Sequence, residues 1–310
     1  MVQLSVVICS HNPRSQYLDR VLSALRLQSL PYEQWELLLV DNASQLALSA
    51  RFDLSWHPNG RHVLENELGL AAARRRGMTD ALSEVLIFVD DDNLLAENYL
   101  SEALRIGQEW PALGTWGAGT IIPEFERQPA GYLKPYLASL ALRENTKAYW
   151  GNVLFCSDST PCGAGMCVRA AVAKEYCRLQ SSASIQITDR KGGMLVGHGD
   201  YEIAYVGCSL GFGMGVFPDL RITHLIPQER VSDRYILGLA VGNEISGGLL
   251  EYKWIGVAPP NPLSSKSILS MIKNVALTGN LFQRRHHLAQ IRGRIAARRA
   301  VANVGNKRSS

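Results

Sequence analysis

The chain predicts an α/β fold: a mainly parallel sheet flanked by helices, followed by a helical C-terminal extension. Three observations carry this. Over the first 110 residues short β-branched runs alternate with segments of helical spacing, the pattern of βαβ units. The alternation then stops, and Ala258–Pro262 places three prolines in five residues before helical spacing resumes. With 310 residues, 46% hydrophobic and 19% charged, the chain can bury a full core, which excludes a disordered or fibrous protein.

The elements follow in order. Leu4–Cys9 reads as a buried strand, and Leu18, Val21, Leu22 and Leu25 form one apolar helix face. Glu36–Asp41 is a second buried strand and Arg61–Glu65 a third. A helix rich in small residues starts near Leu70. Val85–Asp90 is the clearest strand, and a helix covers about 97–109. Residues 114–122 read as strand, 125–150 as loop plus short helix, and 170–180 as helix. The polar stretch 181–193 reads as a mobile loop, 201–210 as helix, 211–221 as a turn and short strand, and 266–283 as an amphipathic helix.

Several classes drop out. The net charge of +4 does not mark a nucleic-acid binder, and no such partner is expected. None of the six cysteines forms C-x-x-C, so a zinc knuckle or thioredoxin motif is not expected. The N-terminus lacks a basic region before its apolar run, and no stretch reaches 18 apolar residues. A cytoplasmic protein with reduced thiols is expected. The first glycine is Gly60, so no glycine turn cradles a phosphate after the first strand.

The chemistry-bearing residues gather at strand ends. Asp90-Asp91-Asp92 follows directly on the clearest strand, where α/β sheets open toward their ligand crevice. Hard carboxylate oxygens suit Mg²⁺ or Mn²⁺, which bridge phosphates; the alternative is a helix cap or solvated turn. Asp41 also ends a strand and suits a base or ribose, or simply forms a turn. Arg74, Arg75 and Arg76 suit a diphosphate or a solvated helix face. Asp200, after Gly199, suits a general base. His224 stands alone late in the chain, and eight Lys or Arg between Arg284 and Arg308 meet no acid.

Together these pieces resemble glycosyltransferase family 2, inverting enzymes of the GT-A fold. Ser5–Asn12 looks like that family's first strand and nucleotide loop. Leu39–Ser44 resembles its second strand, Gly69–Arg74 its G-x-x-x-A-R segment, and Phe88–Asp92 its D-x-D element. Cys162–Arg169 looks like the acceptor-side segment and Gly199–Ile203 like E-D-x-E-L, with Gly199 in place of the usual Glu. The resemblance implies a GT-A domain over 1–225 and a C-terminal helical extension with a basic tail over 226–310. It implies donor contacts from Asp41, Arg74, Asp90 and Asp91, metal contacts from Asp92 and His224, and Asp200 as base. Mn²⁺ or Mg²⁺ is the implied cofactor. The partners are a nucleotide-diphosphate sugar and a carbohydrate or glycolipid hydroxyl, in cell-surface polysaccharide or glycolipid synthesis. The basic tail adds an anionic membrane surface, making the protein peripheral on the inner face. A sugar nucleotidyltransferase and a catalytically silent nucleotide-sugar-binding scaffold are the rival readings; the first would want the glycine-rich loop that is missing.

Overall fold

Among the described residues ten strands form one sheet. The computed structural model describes residues 2–182, 185, 187, 195–261 and 280–308. Most of the polar stretch 181–193 and of the helical pattern at 266–283 lies outside the described residues. The chain divides into two compact units: residues 1–126, 140–182 and 199–226 form the first, and 127–139, 183–198 and 227–310 the second.

The first unit holds the whole sheet. Strands β1 (Leu4–Ser10), β2 (Trp35–Asn42), β3 (Gly60–Glu65) and β4 (Val85–Asp90) run parallel in the order β3-β2-β1-β4. Every residue of β2 is buried, as a strand covered on both faces requires. Alternate side chains serve two helix layers. Leu4, Val6, Ile8, Leu37 and Leu39 join one core cluster with α1 (Ser15–Arg26) and α3 (Tyr99–Glu109). On the other face Val7 meets α2 (Leu70–Asp80): a Cβ on Gly77 would stand 2.3 Å from Val7 Cγ1, so α2 lies flat on β1 only because residue 77 is glycine.

The rest of the sheet is mixed. Strand β5 (Asn93–Leu95) and strand β9 (Cys167–Arg169) are too short to show a period in sequence, and both pair antiparallel. Strand β6 (Leu113–Phe125) runs parallel to β10 (Gly213–Ile226). The segment read as a turn and short strand is therefore a turn at Gly211, with φ +87°, and a strand of 14 residues. Residues 125–150 hold a 3-10 segment, Gly131–Leu140, and two short strands, β7 (Arg143–Glu144) and β8 (Tyr149–Gly151). Helices α4 (Ala170–Ser182) and α5 (Gly199–Ser209) complete the unit.

The second unit contains α6 (Asp233–Ile255) and α7 (Leu281–Arg308). Ser232 caps α6 by accepting from Tyr235 N, and Gly256 ends it in the left-handed region with φ +69°. Helix α7 buries Phe282, Ala289, Gly293, Ala297 and Val301, a stripe of helical period. Several of its arginines are engaged within the unit. Arg285 pairs with Asp233 at 2.7 Å, Arg294 with Glu244 at 2.9 Å, and Arg298 donates to Pro259 O. Among the described residues no helix is long and apolar enough to cross a membrane.

Candidate active site

Strand order creates the crevice. The chain winds outward from β1 to β2 and β3, then returns to place β4 on the other side of β1. Such a reversal leaves a gap beyond the carboxyl ends of the strands. Register fills its rim: Ser10 pairs with Asp41 and Cys9 with Asp90. Asp41 and Asp90 thus stand at the carboxyl ends of the two strands flanking β1, one residue before the end of β2 and at the last residue of β4, about 10 Å apart at the usual strand spacing.

Asp41 is buried and shapes the loop beyond it. Its Oδ1 accepts from Ser44 N and its Oδ2 from Leu48 N, each at 2.9 Å. Burial raises its pKa, but these donors outweigh burial and hold the carboxyl below its ordinary range. Ala43, next in the loop, sits at φ +53°, a strained conformation for an alanine and typical of functional loops. Asn42, a residue with no sequence signal beyond its place after Asp41, ties this loop to the entry of α2. Its amide donates to Glu67 O at 2.7 Å and its Oδ1 accepts from Gly69 N at 2.8 Å.

The three acids at the end of β4 have distinct surroundings. Asp90 lies 3.9 Å from Arg74 Nη2. Asp91 accepts from Ser10 Oγ at 2.5 Å. Asp92 is buried and accepts from Asn93 Nδ2. Pairing of β10 with β5 sets His224 opposite Asn93, and Leu225 N donates to Asp92 O, which brings the imidazole beside Asp92. His224 Nε2 stands 3.7 Å from Asp92 Oδ2. Its Nδ1 meets Leu140 O at 3.1 Å, and since a carbonyl only accepts, Nδ1 carries the proton. A backbone carbonyl holding one imidazole nitrogen is the usual support of a metal-binding histidine, whose other nitrogen is the ligand. The Asp92 carboxylate oxygen suits Mn²⁺ or Mg²⁺, while the His224 imidazole nitrogen is a ligand more usual for transition metals. Among the described residues no group of three or more His, Cys, Asp or Glu forms a metal site. Any cation held by this pair alone would need its remaining ligands from phosphate oxygens and water.

Asp200 opens α5. Its Oδ2 accepts from Gly163 N at 2.7 Å and its Oδ1 from Tyr201 N at 2.9 Å. The helix N-terminus favours its negative charge. Gly163 also touches Arg74: a Cβ there would lie 2.2 Å from Arg74 Nη2. Arg74 is buried and its guanidinium lies over the Phe88 ring at 5.8 Å. A chain of contacts thus runs Asp90, Arg74, Gly163, Asp200. In the sequence Gly163 stands out only as part of Cys162–Arg169, the segment that resembles the family's acceptor side. Tyr201 is pushed up to about 12 by burial first and by Asp200 next, so it stays protonated near neutrality. Glu202 faces elsewhere: it is buried and accepts from Gln180 Nε2 at 2.6 Å.

The family model described as glycosyl transferase family 2 matches residues 5–160, half of the chain, and includes Asp41, Arg74 and all three acids at the end of β4. No curated protein matches the chain. Among solved structures, mannosyltransferase PcManGT from Pyrobaculum calidifontis, in complex with GDP-Man and Mn²⁺, is similar at a TM-score of 0.60 and 17% identity. That likeness covers 98% of this chain and 88% of the other. S. aureus TarS 1-349 in complex with UDP-GlcNAc is similar at a TM-score of 0.51 and 12% identity, over 97% and 92% of the two chains. The fold is that of GT-A glycosyltransferases. With its sequence match running through the strand ends that carry the crevice acids, the chain belongs to glycosyl transferase family 2, and its chemistry is glycosyl transfer.

Proposed function

We propose that the protein is an inverting, metal-dependent glycosyltransferase. It moves a sugar from a nucleotide-diphosphate donor to a hydroxyl of a carbohydrate or glycolipid acceptor, in cell-surface polysaccharide or glycolipid synthesis. The observation that carries this is the contact chain from Asp90 through Arg74 and Gly163 to Asp200, which ties a donor-side acid to an acid at a helix mouth. The similar folds holding GDP-Man with Mn²⁺ and UDP-GlcNAc support the donor class.

Asp41 and Asp90 hold the nucleoside, and Asp91 and Arg74 border the diphosphate. Asp92 and His224 hold Mn²⁺ or Mg²⁺. A cation held there would supply positive charge against the leaving diphosphate. Asp200 takes the acceptor proton as the hydroxyl attacks. A single displacement at the anomeric carbon inverts its configuration, so one base suffices. Gly163 N–H and the helix N-terminus keep Asp200 oriented while it is charged.

The GT-A domain spans 1–225 in this reading, with 226–310 as its helical extension. On α7 the exposed Arg284, Leu288, Arg292 and Arg299 follow one helical face, while Arg285, Arg294 and Arg298 serve internal contacts. That face binds the anionic inner surface of a membrane peripherally, each basic residue near the surface contributing about 1 kcal/mol. Donor hydrolysis with and without Mn²⁺ tests the proposal. Metal-stimulated release of nucleotide that Asp92→Ala abolishes supports it; donor binding with no hydrolysis under either condition favours the silent nucleotide-sugar-binding scaffold.

A further inference from the structure

The second unit carries a cavity that none of the proposed catalytic residues enters. It measures about 370 Å³, within the usual range for small-ligand pockets. Pro135, Ile236 and Ala240 give it an apolar floor, and Tyr136 and His286 add rings whose centroids lie 4.6 Å apart. Asn243, Glu244 and Gln290 add polar groups from α6 and α7. Close approach of these helices sets the facing: a Cβ on Gly293 would lie 2.7 Å from Glu244 Cβ and from Val241 O.

The charge on the wall is compensated. Arg294 grips the Glu244 carboxylate through Nε at 2.9 Å and Nη2 at 3.1 Å. Burial, aided by His287, lowers the pKa of His286, so its ring is neutral near pH 7. Gln290 meets the His287 ring through its Oε1 at 3.4 Å, and the Gln290 and Asn243 side chains both line the cavity. A phosphate would face the carboxylate. A cation would find that carboxylate already paired. An alkyl chain would strip water from amides without replacing it. A neutral sugar ring matches every part, with its C–H face on the apolar floor and its hydroxyls toward amides and carboxylate.

We propose that this cavity is a saccharide-binding site for one or two neutral sugar rings, sharing no residue with the Asp92 and Asp200 centre. It goes beyond the transfer reaction, and its failure leaves that reading untouched. The test uses the full chain and photoreactive diazirine glycosides of glucose, galactose, mannose and N-acetylglucosamine, with peptide mapping of the label. Label from at least one glycoside should map to 131–140, 236–244 or 282–290. Asn243→Ala and Gln290→Ala should each weaken binding of that glycoside at least fivefold. Asp200→Asn should leave it unchanged, and Mn²⁺-dependent nucleotide binding should persist in both cavity variants. Labelling by none of the four, label confined to other peptides, or equal binding in both cavity variants overturns the proposal. The mapping on the parent chain stands even if a variant misfolds.

Discussion

Asp200 and Glu202 lie two residues apart, yet their surroundings assign them different tasks. Asp200 accepts two backbone N–H groups at a helix mouth, whereas Glu202 is buried against Gln180. Asp200→Asn should cut transfer by about 10² to 10⁴ while leaving donor affinity nearly intact. Glu202→Gln should be milder in transfer. Stopped-assay rates beside calorimetric donor binding check both, and a crippled Glu202→Gln would mean the base is misassigned. Asp41 carries a stability prediction. Its folded pKa is depressed, so its contribution is present above the unfolded carboxylate range and is lost as pH falls through the folded value. Asp41→Asn cannot accept from both Ser44 N and Leu48 N and should cost about 1–3 kcal/mol near neutrality. The gap between variant and parent, read from urea melts, should narrow in acid. At this scale Asp41 and Asp90 were legible because each closes an apolar run. The meeting of His224 with Asp92 was not, since it depends on pairing between β10 and a three-residue strand.

Among the elements, β1, β2 and β4 announced themselves by continuous apolar runs, as strands buried on both faces do. Strands β5 and β9 did not, because three residues cannot display a period. The seating of α2 on β1 also escaped local pattern, though its cause is one glycine. Gly77→Ala should destabilise the fold by about 1–3 kcal/mol through overpacking against Val7, despite alanine's better helix propensity. The double variant with Val7→Ala should lose less than the two single effects summed. The start of β2 is packed differently. His57 lies 4.1 Å from the Trp35 ring centroid and accepts from Asn59 N, and burial lowers its pKa to about 4. A depressed histidine contributes stability above its unfolded value, near 6.5, and loses it as pH falls toward 4. Thermal melts of His57→Gln should therefore show a shallower acid loss than the parent over that window. An identical slope would show that other groups carry the acid sensitivity.

For the whole molecule, the succession of parallel strands and helices over the first 110 residues was readable from sequence, while the order of the strands in the sheet and the uses of the C-terminal arginines were not. A one-signed run reads as a free basic face, yet Arg285 and Arg294 find acids on α6 that no local pattern links to them. Truncation after Gln283 should abolish flotation with anionic liposomes, and equal flotation of both chains would reject a membrane role for the tail. The central claim, a metal-assisted donor site built on β4 and β10, is tested most directly by calorimetric titration of UDP and GDP into the full chain, with Mn²⁺ and again with chelator. At least one nucleotide should bind with Mn²⁺, weaken at least tenfold on chelation, and weaken comparably in Asp92→Ala with Mn²⁺ present. Equal affinity across the three conditions would contradict the assignment of Asp92 to the metal.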